Sequence, residues 1–208
     1  MSKAASNEAL RTCLLSAVAA FNDSHDCKSL LAPRKNTAGQ VATQGQSGWG
    51  AASERAIAHR LAYYLERELR RKSIVRDDAR ITVDCEYNRH LDGSKEHRIP
   101  RDLVRIVEKA KRTVTRATDD ENYYVFSIAP DIVVHRRGTD KYNLLVVEVK
   151  KTTNRECEKY DQLKLECFTG TGAHGYAYKV GAAVTALDDV PPAQRQLEVT
   201  TWYPRTAA

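Results

Sequence analysis

A pair of strand signals around one short turn constrains this chain more than any other feature. Residues 124–137, YVFSIAPDIVVHRR, and residues 143–151, NLLVVEVKK, are rich in β-branched and aromatic side chains, which fit a pleated sheet better than a helix. Gly138-Thr139-Asp140-Lys141 lies between them and reads as a turn. A hairpin is therefore expected, and two acids sit inside its apolar strands. Ile132, Val133 and Val134 follow Asp131, and Leu144 to Val147 precede Glu148. If Gly138 pairs with Lys141, the antiparallel register sets Asp131 opposite Glu148, with β-carbons about 5 Å apart. Lys150 shares the face of Glu148. Opposed carboxylates repel, so a positive group has to hold them. A hard divalent cation suits oxygen ligands, and Lys150 is the alternative, as part of an ion-paired sheet end.

The rest of the chain supplies the setting. Residues 51–72 read as a helix with Ile57, Ala58, Leu61, Leu65 and Leu69 on one stripe and Ser53 as N-cap. Glu54 lies on the same stripe, where a carboxylate needs a partner: a metal site in the hairpin or an arginine. Residues 80–89 alternate as a strand, 91–98 as a polar turn region, and 101–116 as a helix with Pro100 at its start. A further helix is expected over 157–169, broken by the glycines at 170–175, with strands near 176–187 and 197–203. The order is that of a mixed α/β sandwich, not of repeated βαβ units.

Residues 1–31 read as an amphipathic helix and a short polar stretch. Lys3 and Arg11 ahead of an apolar run loosely mimic a secretory signal. Glu8, and a stripe of Leu10, Leu14, Val18 and Phe21, favour the helix. Residues 33–50 are rich in Pro, Gly, Gln, Ser and Thr and read as a linker or mobile loop. The expected organisation is an N-terminal helix and linker over 1–50, then one domain over 51–208 with a helical insertion at about 91–122.

Composition narrows the function classes. No run approaches the roughly 20 apolar residues of a membrane span, so no membrane partner is expected. The formal charge of +6 favours a polyanionic partner. The five cysteines are odd in number, and none are spaced Cys-x-x-Cys, which points to a reducing, cytoplasmic setting. The six histidines are scattered. His135 reads as a solvent-facing strand end, and Glu86, with Asp84 and Asn88, as the wet face of an edge strand.

Ala129-Pro130-Asp131 followed by Glu148-Val149-Lys150, downstream of a helix carrying Glu54, resembles the PD-(D/E)xK nuclease superfamily, the restriction-endonuclease-like fold. The resemblance covers about residues 51–187. It implies a mixed β-sheet flanked by helices, with an N-terminal helical extension and a helical insertion. It also implies a Mg-dependent (or Mn-dependent) nuclease, with nucleic acid as substrate and DNA favoured over RNA. Asp131, Glu148 and the carbonyl of Val149 would bind the metal, and Glu54 would hold a second metal or a bound water. Lys150 would orient or deprotonate the attacking water, or stabilise charge on the phosphoryl oxygens. The following helix often lends such sites a side chain, here Lys164 or Gln162. Restriction-type nucleases are often homodimers, one protomer per strand, so a homodimer is compatible. The alternative is a non-catalytic nucleic-acid-binding or assembly protein on the same fold. Separately, Arg101, Arg105, Lys109, Lys111, Arg112 and Arg116 give residues 101–116 a basic face, the expected contact with phosphates, unless it is simply solvated.

Overall fold

The computed structural model describes residues 5–32, 52–75, 80–90, 93–154, 158–171 and 175–204. The expected linker at 33–50 lies outside them, as does Cys157. The described cysteines 13, 27, 85 and 167 are free thiols. No helix among the described residues is long and apolar enough to cross a membrane.

The molecule is built on a five-stranded mixed sheet. Its strands are β1 (Ile81–Cys85), β7 (Ile132–Arg136), β8 (Leu145–Lys151), β9 (Val180–Ala186) and β10 (Leu197–Tyr203), in the spatial order β1-β7-β8-β9-β10. All neighbours are antiparallel except β8 and β9. That parallel pair is joined by a crossover through α5 (Glu158–Thr169), the kind of connection parallel strands require. A hairpin of β2 (Arg89–His90) and β3 (Gly93–Ser94) precedes a smaller antiparallel sheet. In it β6 (Tyr123–Ser127) lies between β4 (Glu96–Pro100) and β5 (Thr115–Arg116).

Helices cover both faces of the large sheet. Strand β8 shows how: Leu145, Val147 and Val149 face one core and Val146 faces the other, as the two-residue period of a strand dictates. The first core is closed by α1 (Asn7–Asn22), α2 (His25–Leu30) and α3 (Glu54–Arg71), through Leu10, Leu14, Phe21, Ile57, Leu61 and Leu65. The second holds α5, with Tyr160, Leu163 and Phe168, and receives Ile99 and Phe126 from the small sheet. Ser53 caps α3, its hydroxyl accepting from the Ala56 amide at 3.2 Å.

Several expectations need correction. The N-terminal helix is no appendage, because the α1 stripe of Leu10, Leu14, Val18 and Phe21 is buried in the same core as α3. The expected strand at 124–137 is two strands in two sheets. Pro130 has no amide to give a ladder and restricts Ala129 before it, so the chain leaves the small sheet at Ser127 and enters the large one at Ile132. The insertion at 91–122 carries β3, β4 and β5 as well as helix. Its helix, expected over 101–116, is a short 3-10 turn (Arg101–Leu103) followed by α4 (Val104–Lys109). Lys111 takes a φ of +54°, and the β-branched run Thr113-Val114-Thr115 then favours extended chain. The expected tight turn at 138–141 is a longer connection containing a 3-10 turn (Asp140–Tyr142). The register nevertheless agrees: Ile132 pairs with Val147 and Val133 with Val146, and one rung further sets Asp131 opposite Glu148.

Candidate metal and phosphodiester site

The chain break that splits β6 from β7 also positions the first acid. Asp131 stands immediately before β7, anchored by the Glu86 amide donating to its backbone carbonyl at 3.2 Å. Its side chain turns back on β8, where Oδ2 accepts from the Val149 amide at 2.7 Å. Glu148 lies in the middle of β8 on the face covered by α5, and it is 3% exposed. Burial pushes its carboxyl well above the usual range, and repulsion from Asp131 and Asp161 adds to the shift, while Lys164 opposes it. Burial raises Asp131 too, against the pull of Lys164.

The counter-charge comes from α5. Lys164 Nζ donates to Glu148 Oε2 at 2.5 Å and lies 3.4 Å from Asp161 Oδ1. Attraction to Glu148, Asp131 and Asp161 outweighs the burial that would otherwise lower the ammonium, so Lys164 stays charged. Lys164 thus points inward. Gln162, its competitor on the same helix, borders the cleft and bonds Glu158 at 3.5 Å.

Lys150 occupies the mouth of the cleft. Its Nζ is 3.2 Å from Asp161 Oδ2 and 3.8 Å from Glu54 Oε1. Glu54, at the first turn of α3, reaches the end of β8. It accepts from the Lys151 amide at 3.0 Å and from Asn154 Nδ2 at 3.2 Å. Glu54 is therefore held by β8 and the loop after it, and among the described residues no arginine pairs with it. The cleft has a volume of about 280 Å³, and its walls include Glu148, Lys150, Asp161, Gln162, Thr185 and Tyr203.

Asp161 and Asn154 are the residues that sequence reasoning missed as site members. Asp161 bridges Lys150 and Lys164, and its place on the inward stripe with Lys164 was the available signal. Nothing in the sequence singles out Asn154.

The donor atoms suit a divalent ion. Glu148 Oε1 is buried without a hydrogen-bond partner among the described residues, an arrangement that costs free energy unless a cation, a water or a proton shared with Asp131 completes it. Two carboxylates and the Val149 carbonyl are hard oxygen donors, and Mg²⁺ keeps several waters when held by one or two carboxylates. Among the described residues no three His, Cys, Asp or Glu side chains gather as a metal-binding group. An ion here would accordingly be held by the two acids, the carbonyl and water.

Some other expected placements change. His135 is buried, not solvent-facing, and its Nε2 lies 3.0 Å from Asp84 Oδ2. Asp84 is held by Arg137 and Thr82 as well, and these bonds keep its carboxyl well below the usual range in spite of burial. Glu86 is exposed, as expected, and pairs with Arg55 at 2.6 Å. The six cations of residues 101–116 do not form one helical face. Arg105 and Lys109 are on α4, Arg101 is in the 3-10 turn, Lys111 and Arg112 follow the helix, and Arg116 is on β5, paired with Glu121.

Comparison of the chain with protein-family models, with curated proteins and with solved structures gives no match.

Proposed function

We propose that this protein is a metal-dependent nuclease that hydrolyses phosphodiester bonds in nucleic acid, with DNA the favoured substrate. One observation carries the reading. Asp131 bonds the Val149 amide beside Glu148, Glu148 and Lys150 border one cleft, and Glu148 presents a buried oxygen without a hydrogen-bond partner. The match of Pro130, Asp131, Glu148 and Lys150 to the PD-(D/E)xK pattern supports it. So does the strand–strand–strand–helix–strand order of β1, β7, β8, α5 and β9.

In this reading Asp131, Glu148 and the Val149 carbonyl hold a Mg²⁺ or Mn²⁺ ion. When bound, such an ion lowers the pKa of water and neutralises charge on the phosphoryl group. The chain's own groups do the rest. Val149 fixes Asp131 through its amide. Asp161 and Glu54 hold the Lys150 ammonium at the mouth of the cleft, where it stabilises negative charge developing on a phosphate. Lys164 offsets the repulsion between the acids while the ion is absent. The cations of residues 101–116 contribute non-specific attraction for the backbone.

A second reading is favoured by one contact: Lys164 already neutralises Glu148 at 2.5 Å, as it would in a nucleic-acid-binding or assembly protein that does no catalysis. Incubation with end-labelled DNA and RNA, single- and double-stranded, with Mg²⁺, Mn²⁺ or EDTA, separates the two. Cleavage that needs the metal and is lost in Glu148→Gln supports the nuclease. Binding without cleavage under every condition selects the second reading.

A further inference from the structure

Strand β7 begins beside Asp131 and ends in a second cleft. This hollow, of about 510 Å³, is bordered by Arg80, Arg136, Arg137, Lys141 and Tyr142. Among the described residues that line it, four carry positive charge and none is acidic. Like charges gathered around one concavity repel each other, and they focus a positive potential there.

Two of these cations are held in place. Arg137 donates to both oxygens of Asp84, its Nε at 2.9 Å. The Arg136 guanidinium lies over the Tyr142 ring, 5.6 Å from its centroid. Gly138, at a φ of +75°, turns the chain in the left-handed region that favours glycine, so that Arg137 and Lys141 border the same hollow. The Thr139 hydroxyl steadies that turn by accepting from the Lys141 amide at 3.3 Å. A guanidinium held by stacking is suited to a phosphate, because its donor fork is pre-organised.

We propose that this cleft grips two successive phosphates of a nucleic-acid strand, through Arg136 and Lys141, as an anchoring site separate from the catalytic cleft. The proposal rests on the nuclease reading only in naming nucleic acid as the anion. A strand rises ~3.3 Å per residue, so Arg137, which shares the face of Asp131, lies roughly 20 Å along the strand direction from it. That is the length of about six base pairs of duplex. A duplex reaching both clefts is held at two points.

The test is the binding of a fluorescein-labelled 20-base-pair DNA in EDTA, followed by anisotropy from 50 to 200 mM NaCl. The wild-type protein is compared with Arg136→Ala/Lys141→Ala and with Lys141→Glu, whose exposed position puts folding at little risk. Each phosphate contact contributes about 0.9 to the salt slope. The double variant should therefore lose about two units of slope, and wild-type affinity should fall roughly tenfold more than the variant's across that range. Lys141→Glu should bind more weakly than wild type at 50 mM. Unchanged affinity and slope in both variants, or no binding by the wild type, overturns the proposal. Mg²⁺-dependent cleavage of the same DNA by wild-type protein is scored separately. Cleavage with unaltered binding by the variants rejects the cleft alone, and variant-sensitive binding without cleavage rejects the nuclease alone.

Discussion

Replacing Lys164 by methionine removes the ammonium that donates to Glu148 at 2.5 Å. The carboxylate is 3% exposed and the lysine 7%, so water cannot substitute for the lost partner. Breaking a buried pair on one side costs about 3–5 kcal/mol, because a charge is left uncompensated. The carboxyl has an escape, which is to take up a proton, and that sets the pH dependence. Glu148 is already raised by burial, and loss of Lys164 raises it further. Both folded proteins bind more protons than the unfolded chain above the unfolded carboxyl value of about 4.3, and the variant keeps its proton to higher pH than wild type. Stability lost to the substitution therefore grows as pH rises beyond the point where Glu148 ionises in the wild-type protein. Urea unfolding should show a deficit of about 1 kcal/mol or less at pH 5, growing to about 3–5 kcal/mol at pH 8. Lys164→Met/Glu148→Gln should recover most of the loss, since a neutral pair of similar volume costs little. A single variant within about 1 kcal/mol of wild type at pH 8 would refute the reasoning, and so would a double variant no better than the single.

Glu54→Gln keeps an acceptor for the Lys151 amide but loses the charge beside Lys150. It should fold normally and cleave roughly tenfold more slowly at saturating Mg²⁺; an unchanged rate would remove Glu54 from the site. Lys95 is buried under Tyr87, Phe168, Tyr176 and Tyr178, with the Tyr178 hydroxyl 3.2 Å from Nζ, and burial lowers its ammonium to about 8. A lowered lysine binds fewer protons folded than unfolded, so its contribution to stability rises with pH from about 8 to about 10.5. Lys95→Met should gain on wild type by up to about 3 kcal/mol near pH 7, the gap closing by pH 10 in thermal melts; a pH-independent gap would contradict this. Finally, Lys109→Ala/Lys111→Ala/Arg112→Ala should weaken DNA binding across sequences and lower the salt slope by about three units. An unchanged slope would mean that this segment is not a nucleic-acid face.

The hairpin register was legible although its turn was not. A slip of one residue would carry Val133, Val146 and Glu148 to the wrong face, so the two-residue period fixes the pairing. Loop length is free to vary at little cost. The inward face of Lys164 could be read from the helical stripe, but the identity of its partner depends on how α5 crosses β8, which no local pattern encodes. His135 and Asp84 were misread for a related reason. Each looks like a polar strand residue, and only their approach across β1 and β7, 51 positions apart in sequence, makes the pair part-buried and satisfied. Pro130 was the visible warning that residues 124–137 could not form one ladder. Helical spacing outweighed the β-branched run after Lys111, and the expected helix came out too long.

In the proposed function Asp131 and Glu148 form one divalent-cation site. Titration of Mn²⁺ into wild-type protein, Asp131→Asn and Glu148→Gln, following the free-ion electron paramagnetic resonance signal, measures it directly and without a nucleic acid. Wild-type protein should bind Mn²⁺, Mg²⁺ should compete for the site, and each variant should bind roughly tenfold or more weakly while remaining folded. Equal affinity in all three proteins, or no binding by the wild type, would contradict the claim.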